Sequence, residues 1–321
     1  MDASRFLQNL YICTRIHKHI QISTMETIRN IAYLFAITTL FVATSCIGQK
    51  SEPTSDIAVT IEPLKYIVEH ITGNDLSVEV IVPQGASPET YEPTPKQIIR
   101  LNNTKMIFST GLIDFENSLT KRLNNQSAII NLSKGIELIE GSCSHNHSVA
   151  EESHSEHNHS HGIDPHIWTS PRELKIMAHN AYNAIKDIYP DSTKYHSAYN
   201  ALIEEFDTLD KECEQLCRNS QSKAFVVYHP ALTYFARAYG IEQIAVESDG
   251  KEPSAKHLAH IIEQAKAKNV QCVLYQMQYP RSVVEVVAKD MGVESKVFDP
   301  LAENVTENIL QITRIVTGTK Q

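Results

Sequence analysis

Twice along this chain, short runs rich in β-branched residues alternate with helix-patterned segments, and that alternation limits the fold more than any other feature. In the first half "IAVTIEP" (57–63) reads as a strand, "LKYIVEHIT" (64–72) as a helix and "LSVEVIVP" (76–83) as a strand. The loop "QGASPETYEPTP" leads into the helix "KQIIRLNNT" and the strand "KMIFSTG", and "SAIINLSKG" closes the half as another strand. The second half repeats the pattern from "AFVVYHP" to a final helix in "ENVTENILQITRIVTG", and Ser254 is placed to cap the helix "AKHLAHIIEQAKAKN". Strands alternating with helices imply an α/β fold with mainly parallel sheets.

Between the halves, "RELKIMAHNAYNAIKDIYP" and "TKYHSAYNALIEEFDTLDKECEQLCRN" carry apolar residues at helical spacing, with Ser170-Pro171 as a helix start. We expect two α/β lobes, 57–169 and 221–321, joined by a long helical connector at 170–220, with a cleft between them. The 321 residues and 42% hydrophobic content are enough for a core of that size.

The N-terminal stretch reads as an address. From Met25, a short segment containing Arg29 precedes an apolar run, Ile31 to Ala43, with the length of a signal-peptide core. "ATSC" resembles a lipobox ending at Cys46, with Ala43 in place of the usual leucine. We expect translation to start at Met25, making 1–24 upstream sequence. Residues 25–45 are then the signal, Cys46 the lipidated cysteine and 46–56 a tether. Of the other cysteines, Cys213 and Cys217 lie one helical turn apart, Cys272 is in a strand and Cys143 adjoins a histidine tract. No disulfide framework or paired zinc-type CxxC spacing is present, so a core must hold the chain. A net charge of −9 gives no excess of cations for nucleic acid.

The tract 144–161 holds His145, His147, His154, His157, His159 and His161 among serine, glutamate and asparagine, with no apolar periodicity. It reads as a loop that gathers metal weakly, or as a solvated low-complexity insert. His166 follows a stiff Asp164-Pro165 turn. His229 ends "AFVVYH" and Asp299 ends "SKVFD", both at the carboxyl ends of strands, where open α/β sheets bind ligands. Glu89 lies in the turn-rich loop. Two imidazoles and two carboxylates suit Zn²⁺ and accept Mn²⁺ or Fe²⁺. Spacing leaves each a second reading: a strand-end histidine, a turn-forming Asp-Pro, a solvated glutamate. His257 and His260 read as surface or packing residues of a helix.

Five ordered motifs, "VPQGASPETYEPTPKQI", "DPHIWTSP", "VYHPALTYFARAYGI", "EPSAKHL" and "VFDPLAENV", resemble the zinc/manganese solute-binding lipoproteins of ABC importers. The likeness is to the zinc-importer side of the cluster A-I family and covers residues 57–321. It implies two lobes joined by a backbone helix, with one metal in the cleft and an acidic, histidine-rich loop. It further implies metal ligands at Glu89, His166, His229 and Asp299, and partnership with a permease and its ATPase. The protein would be a monomer on the extracytoplasmic side of a membrane. Glu89 departs from the family's usual histidine, and Gln276 stands where relatives often carry glutamate. An amide brings no charge, so Gln276 is expected at most to support the ligands. The resemblance implies binding rather than catalysis. A secreted zinc hydrolase with Glu89 as base would be expected to carry a motif such as HExxH or GxSxG, and neither occurs. A metal-binding adhesin or storage lipoprotein stays open.

Overall fold

The computed structural model describes residues 55–73, 75–141, 162–190, 192–247 and 253–319, together with Met25 and Arg29. The rest of the signal segment, Cys46, Cys143 and the six histidines of the 144–161 tract lie outside the described residues.

The first lobe is a parallel sheet of β1 (Ile57–Val59), β2 (Val78–Val80), β3 (Met106–Ser109) and β4 (Ile129–Asn131), in the order β2-β1-β3-β4. Its helices are α1 (Glu62–Thr72), α2 (Pro95–Leu101) and α3 (Asp114–Arg122). The second lobe repeats this with β5 (Ala224–Val227), β6 (Glu242–Ala245), β7 (Cys272–Tyr275) and β8 (Glu294–Val297), in the order β6-β5-β7-β8, again all parallel. Among its helices are α6 (Thr233–Tyr239), α7 (Ala255–Ala267), α8 (Arg281–Met291) and α9 (Val305–Thr317). Each sheet reverses its order of addition beside its first strand, which opens a crevice at the carboxyl edge.

The helix α3 is not evident from the sequence pattern, because only Phe115, Leu119 and the carboxylate of Glu116 face inward. Glu116 explains its position. The buried side chain accepts hydrogen bonds from Thr60 Oγ1, Thr110 N and Oγ1, Leu112 N and Ile113 N. One carboxylate thereby fastens the carboxyl ends of β1 and β3 to the helix start.

The connector consists of two helices packed together: α4 (Pro171–Ile188) and α5 (Thr193–Asn219). Arg172 pairs with Asp210 at 3.1 Å and Lys175 with Asp207 at 2.7 Å across their contact. Both helices carry the pattern H-x-A-Y-N, at 179–183 and 196–200. Folding back brings His179 Nδ1 to the Tyr199 hydroxyl and His196 Nδ1 to the Tyr182 hydroxyl, while the two tyrosine rings stack with centroids 4.4 Å apart. At 27 residues α5 extends about 40 Å. It packs against α1 of the first lobe and α9 of the second.

Residues Pro53–Gln321 form one compact unit. A single apolar core runs from Ile57, Phe108 and Leu64 through Leu174 and Phe206 to Phe225, Tyr234 and Ile309, so the lobes share their interior. A smaller core of Val226, Val273, Ile261 and Val284 fills the outer side of the second sheet. No helix among the described residues is long and apolar enough to cross a membrane.

Candidate metal centre

Three of the four residues singled out as ligands meet between the lobes. Ligand atoms of Glu89, His166 and His229 all lie within 4.8 Å of one another. His229 Nε2 is 2.7 Å and His166 Nε2 3.6 Å from the same oxygen, Glu89 Oε1. The side chains are 10% exposed for Glu89 and 4% for each histidine, so the group is closed off from bulk water.

Local structure fixes each one. Glu89 sits on the loop between β2 and α2, which Gln97 ties together. Its Oε1 accepts from Thr94 N and the Tyr91 hydroxyl, and its Nε2 donates to Ile81 O. His166 is held by the turn before it, where Asp164 Oδ1 accepts from His166 N at 2.8 Å and lies 2.9 Å from His166 Nδ1. The carbonyl of Asp164 accepts from the Tyr234 hydroxyl, and Trp168 Nε1 donates to Pro300 O, linking the turn to the second lobe. Ahead of the turn, Ile139–Gly141 and Gly162–Asp164 form a short ladder around the histidine tract. A Cβ on Gly141 would stand 2.9 Å from the Asp164 backbone, so glycine permits that approach.

His229 lies two residues past β5. The register Val227↔Ala245 and Val227↔Leu274 carries forward to set residues 247 and 276 on either side of position 229. The side chains follow: Glu247 Oε2 is 3.3 Å from His229 Nδ1, and Gln276 Nε2 is 3.5 Å from His229 O. The Tyr279 ring stacks on the His229 imidazole, with centroids 5.2 Å apart and planes 14° apart.

Both imidazoles therefore have a carboxylate at Nδ1, Asp164 for one and Glu247 for the other. A proton on Nδ1 leaves Nε2 as the donor atom, the tautomer suited to metal binding. Burial disfavours charge on His229, yet the carboxylates of Glu247 and Glu89 outweigh it and raise its pKa to about 9. Burial likewise opposes charge on Asp164, and His166 with its hydrogen bonds reverses this, bringing the carboxyl below its usual range.

Asp299 does not join the group. The inward position of that strand end is taken by Phe298, which is buried and donates its N–H to Tyr275 O. Alternation along an extended chain then turns the next side chain away. Asp299 is exposed, its Oδ1 accepts from Leu301 N at 2.9 Å, and it lines a separate cleft of about 580 Å³. The cavity at the three ligand atoms is about 30 Å³, and Gln276, Gln278, Tyr279, Pro300 and Leu301 are among the residues of its wall. Its size suits a single ion.

Sequence reasoning missed Glu247 and treated Asp164 only as a turn former. Glu247 ends "IAVE" beside a strand ending "VVYH", and pairing those two strands in register would have found it.

A sequence model described as the periplasmic zinc-uptake complex component A matches residues 57–314. The chain is 27% identical over 263 residues to the zinc-binding protein AdcA of Streptococcus pyogenes serotype M3 (strain ATCC BAA-595 / MGAS315), with 78% of this chain and 51% of that protein covered. The chain thus spans about half the length of that relative. It is 28% identical to the high-affinity zinc uptake system protein ZnuA of Bacillus subtilis (strain 168), over 84% of this chain and 88% of the relative. A crystal structure of ZnuA superposes with a TM-score of 0.73 at 29% identity, covering 83% of this chain and 99% of the other.

Proposed function

The chain belongs to the periplasmic zinc-uptake complex component A family, and on that premise we propose that it captures a divalent transition metal, foremost Zn²⁺, outside the cytoplasm for import by an ABC permease and its ATPase. The observation that carries this reading is the closed convergence of Glu89, His166 and His229 around a cavity with room for an ion. Glu89 Oε1 and the two Nε2 atoms bind the cation, while Asp164 and Glu247 orient the imidazoles from behind. Asp299, the fourth ligand that the resemblance implies, stands outside this donor set, its carboxylate accepting from Leu301 N. Its neighbours Pro300 and Leu301 wall the cavity, and joining the ion requires its carboxylate to leave Leu301 N.

Capture rather than catalysis fits a cavity of about 30 Å³ at the ligand atoms, the size of an ion rather than of an organic substrate. Cys46 serves as lipid anchor on the extracytoplasmic face of the membrane, the protein acts as a monomer, and His145, His147, His154, His157, His159 and His161 collect metal weakly ahead of the tight site. Glu89 favours a second reading of the cargo. A carboxylate in place of an imidazole hardens the donor set and lessens discrimination against Mn²⁺ and Fe²⁺.

Metal analysis of the purified protein tests the assignment. One tightly held Zn²⁺ per chain is expected, and it is lost in both His166→Ala and His229→Ala. Full tight occupancy in both variants would contradict the site.

A further inference from the structure

The crevice beside β5 and β7 holds a polar side chain that the ligand set does not use. Gln276 is 2% exposed and follows directly on β7, level with His229 in the register of the sheet. It lines the same cavity as Glu89, His166 and His229. Its Nε2 meets His229 O at 3.5 Å, and its Oε1 is buried without a hydrogen-bond partner. Reversing the amide would bring two acceptors face to face, so the NH₂ end belongs toward the carbonyl and the oxygen is left for the cavity. A buried amide oxygen with no donor is unfavourable. Beside two imidazoles and a carboxylate, a dication is the partner that satisfies it.

We propose that Gln276 Oε1 is a neutral oxygen ligand to the cation held by Glu89, His166 and His229. This rests on the capture function proposed above. It gives the ion two nitrogen and two oxygen donors with Asp299 where the structure places it, outside the cavity. An amide oxygen completes four-coordination without adding a second charge. The ion is then held less tightly than by two carboxylates, which suits a carrier that must surrender it. The set is also harder than one with a third imidazole, so Gln276 and Glu89 together set the choice between Zn²⁺ and Mn²⁺.

Cobalt(II) reports the coordination directly, because its visible absorption changes in strength and position when a ligand is exchanged. The full chain, Gln276→Ala, Gln276→Glu and Asp299→Ala are loaded with Co²⁺, and Zn²⁺ and Mn²⁺ affinities are measured by competition. Gln276→Ala is expected to alter the cobalt band and weaken Zn²⁺ by about tenfold or more, at least the cost of losing a residue that only supports a ligand. Gln276→Glu keeps an oxygen donor of the same shape, so it should retain a four-coordinate cobalt spectrum and tighten Mn²⁺. Asp299→Ala should leave the cobalt band unchanged. A wild-type spectrum and affinity in Gln276→Ala would overturn the proposal, as would unchanged Mn²⁺ binding in Gln276→Glu or an Asp299→Ala spectrum that shifts while that of Gln276→Ala does not. Retention of tight metal by His229→Ala would overturn the capture site as well, so the two failures are distinguishable.

Discussion

Glu89 Oε1 stands 2.7 Å from one imidazole nitrogen and 3.6 Å from the other, which makes it the hinge of the donor set. Glu89→His should shift competitive binding toward Zn²⁺ and away from Mn²⁺, read as a rise in the ratio of the two association constants. Glu247→Gln keeps the shape beside His229 Nδ1 but removes the charge, and Zn²⁺ affinity should fall by roughly 10–100-fold. His229 also sets the pH dependence. Raised from 6.5 to about 9 in the metal-free fold, its imidazolium stabilises that fold below pH 6.5, and the stabilisation is lost as pH rises through about 9. Metal binding has the opposite sign, since the ligand must be neutral. Zn²⁺ affinity should strengthen with pH by about tenfold per unit up to about 9, with a proton released to buffer on binding. Calorimetry in buffers of different ionisation enthalpy measures that proton; no release at pH 7 would contradict it. Sequence alone points to a midpoint near 6.5, because it does not reveal the two carboxylates around the ring. His166, His229 and Glu89 were legible as strand-end and turn residues. The outward turn of Asp299 was not, because it depends on Phe298 taking the inward position of the strand end.

At the level of elements, eight of the nine α-helices and all eight strands among the described residues follow the pattern read from the sequence, and the connector divides at 189–192. The helix α3 escaped because its cohesion comes from the polar anchor Glu116 rather than from an apolar stripe. The long α5 carries Phe206 at full burial between elements of both lobes. Phe206→Ala should cost about 3–5 kcal/mol in denaturant unfolding, by loss of burial plus the cavity left behind. The same helix holds Cys213 and Cys217, whose thiols burial pushes up to about 11 and about 12, and burial pushes Cys272 in β7 to about 12. Such thiols stay protonated and enclosed. Alkylation mapped by mass spectrometry should leave these three unmodified at pH 8 until the protein is unfolded.

For the whole molecule, the shared apolar core is the main constraint on movement. Tyr66 of α1 adds a polar tie, donating to Glu205 on α5 and meeting Thr306 of α9 at 3.0 Å. Large opening of the lobes would break both. Solution scattering should therefore give the same radius of gyration for metal-free and zinc-loaded protein within error, and release should proceed through loop shifts around Glu89 and Gln276. The doubled β-α pattern made the two lobes legible, but the sharing of one core was not, since hydrophobic periodicity shows which face is buried and not what buries it. The central claim is that one cation sits between Glu89, His166 and His229. X-ray absorption at the zinc edge of the loaded protein tests it most directly. The expected spectrum shows two imidazoles with Zn–N near 2.0–2.1 Å, the remaining donors being oxygen and none sulfur. A sulfur shell, or a zinc coordinated by oxygen alone, would contradict it.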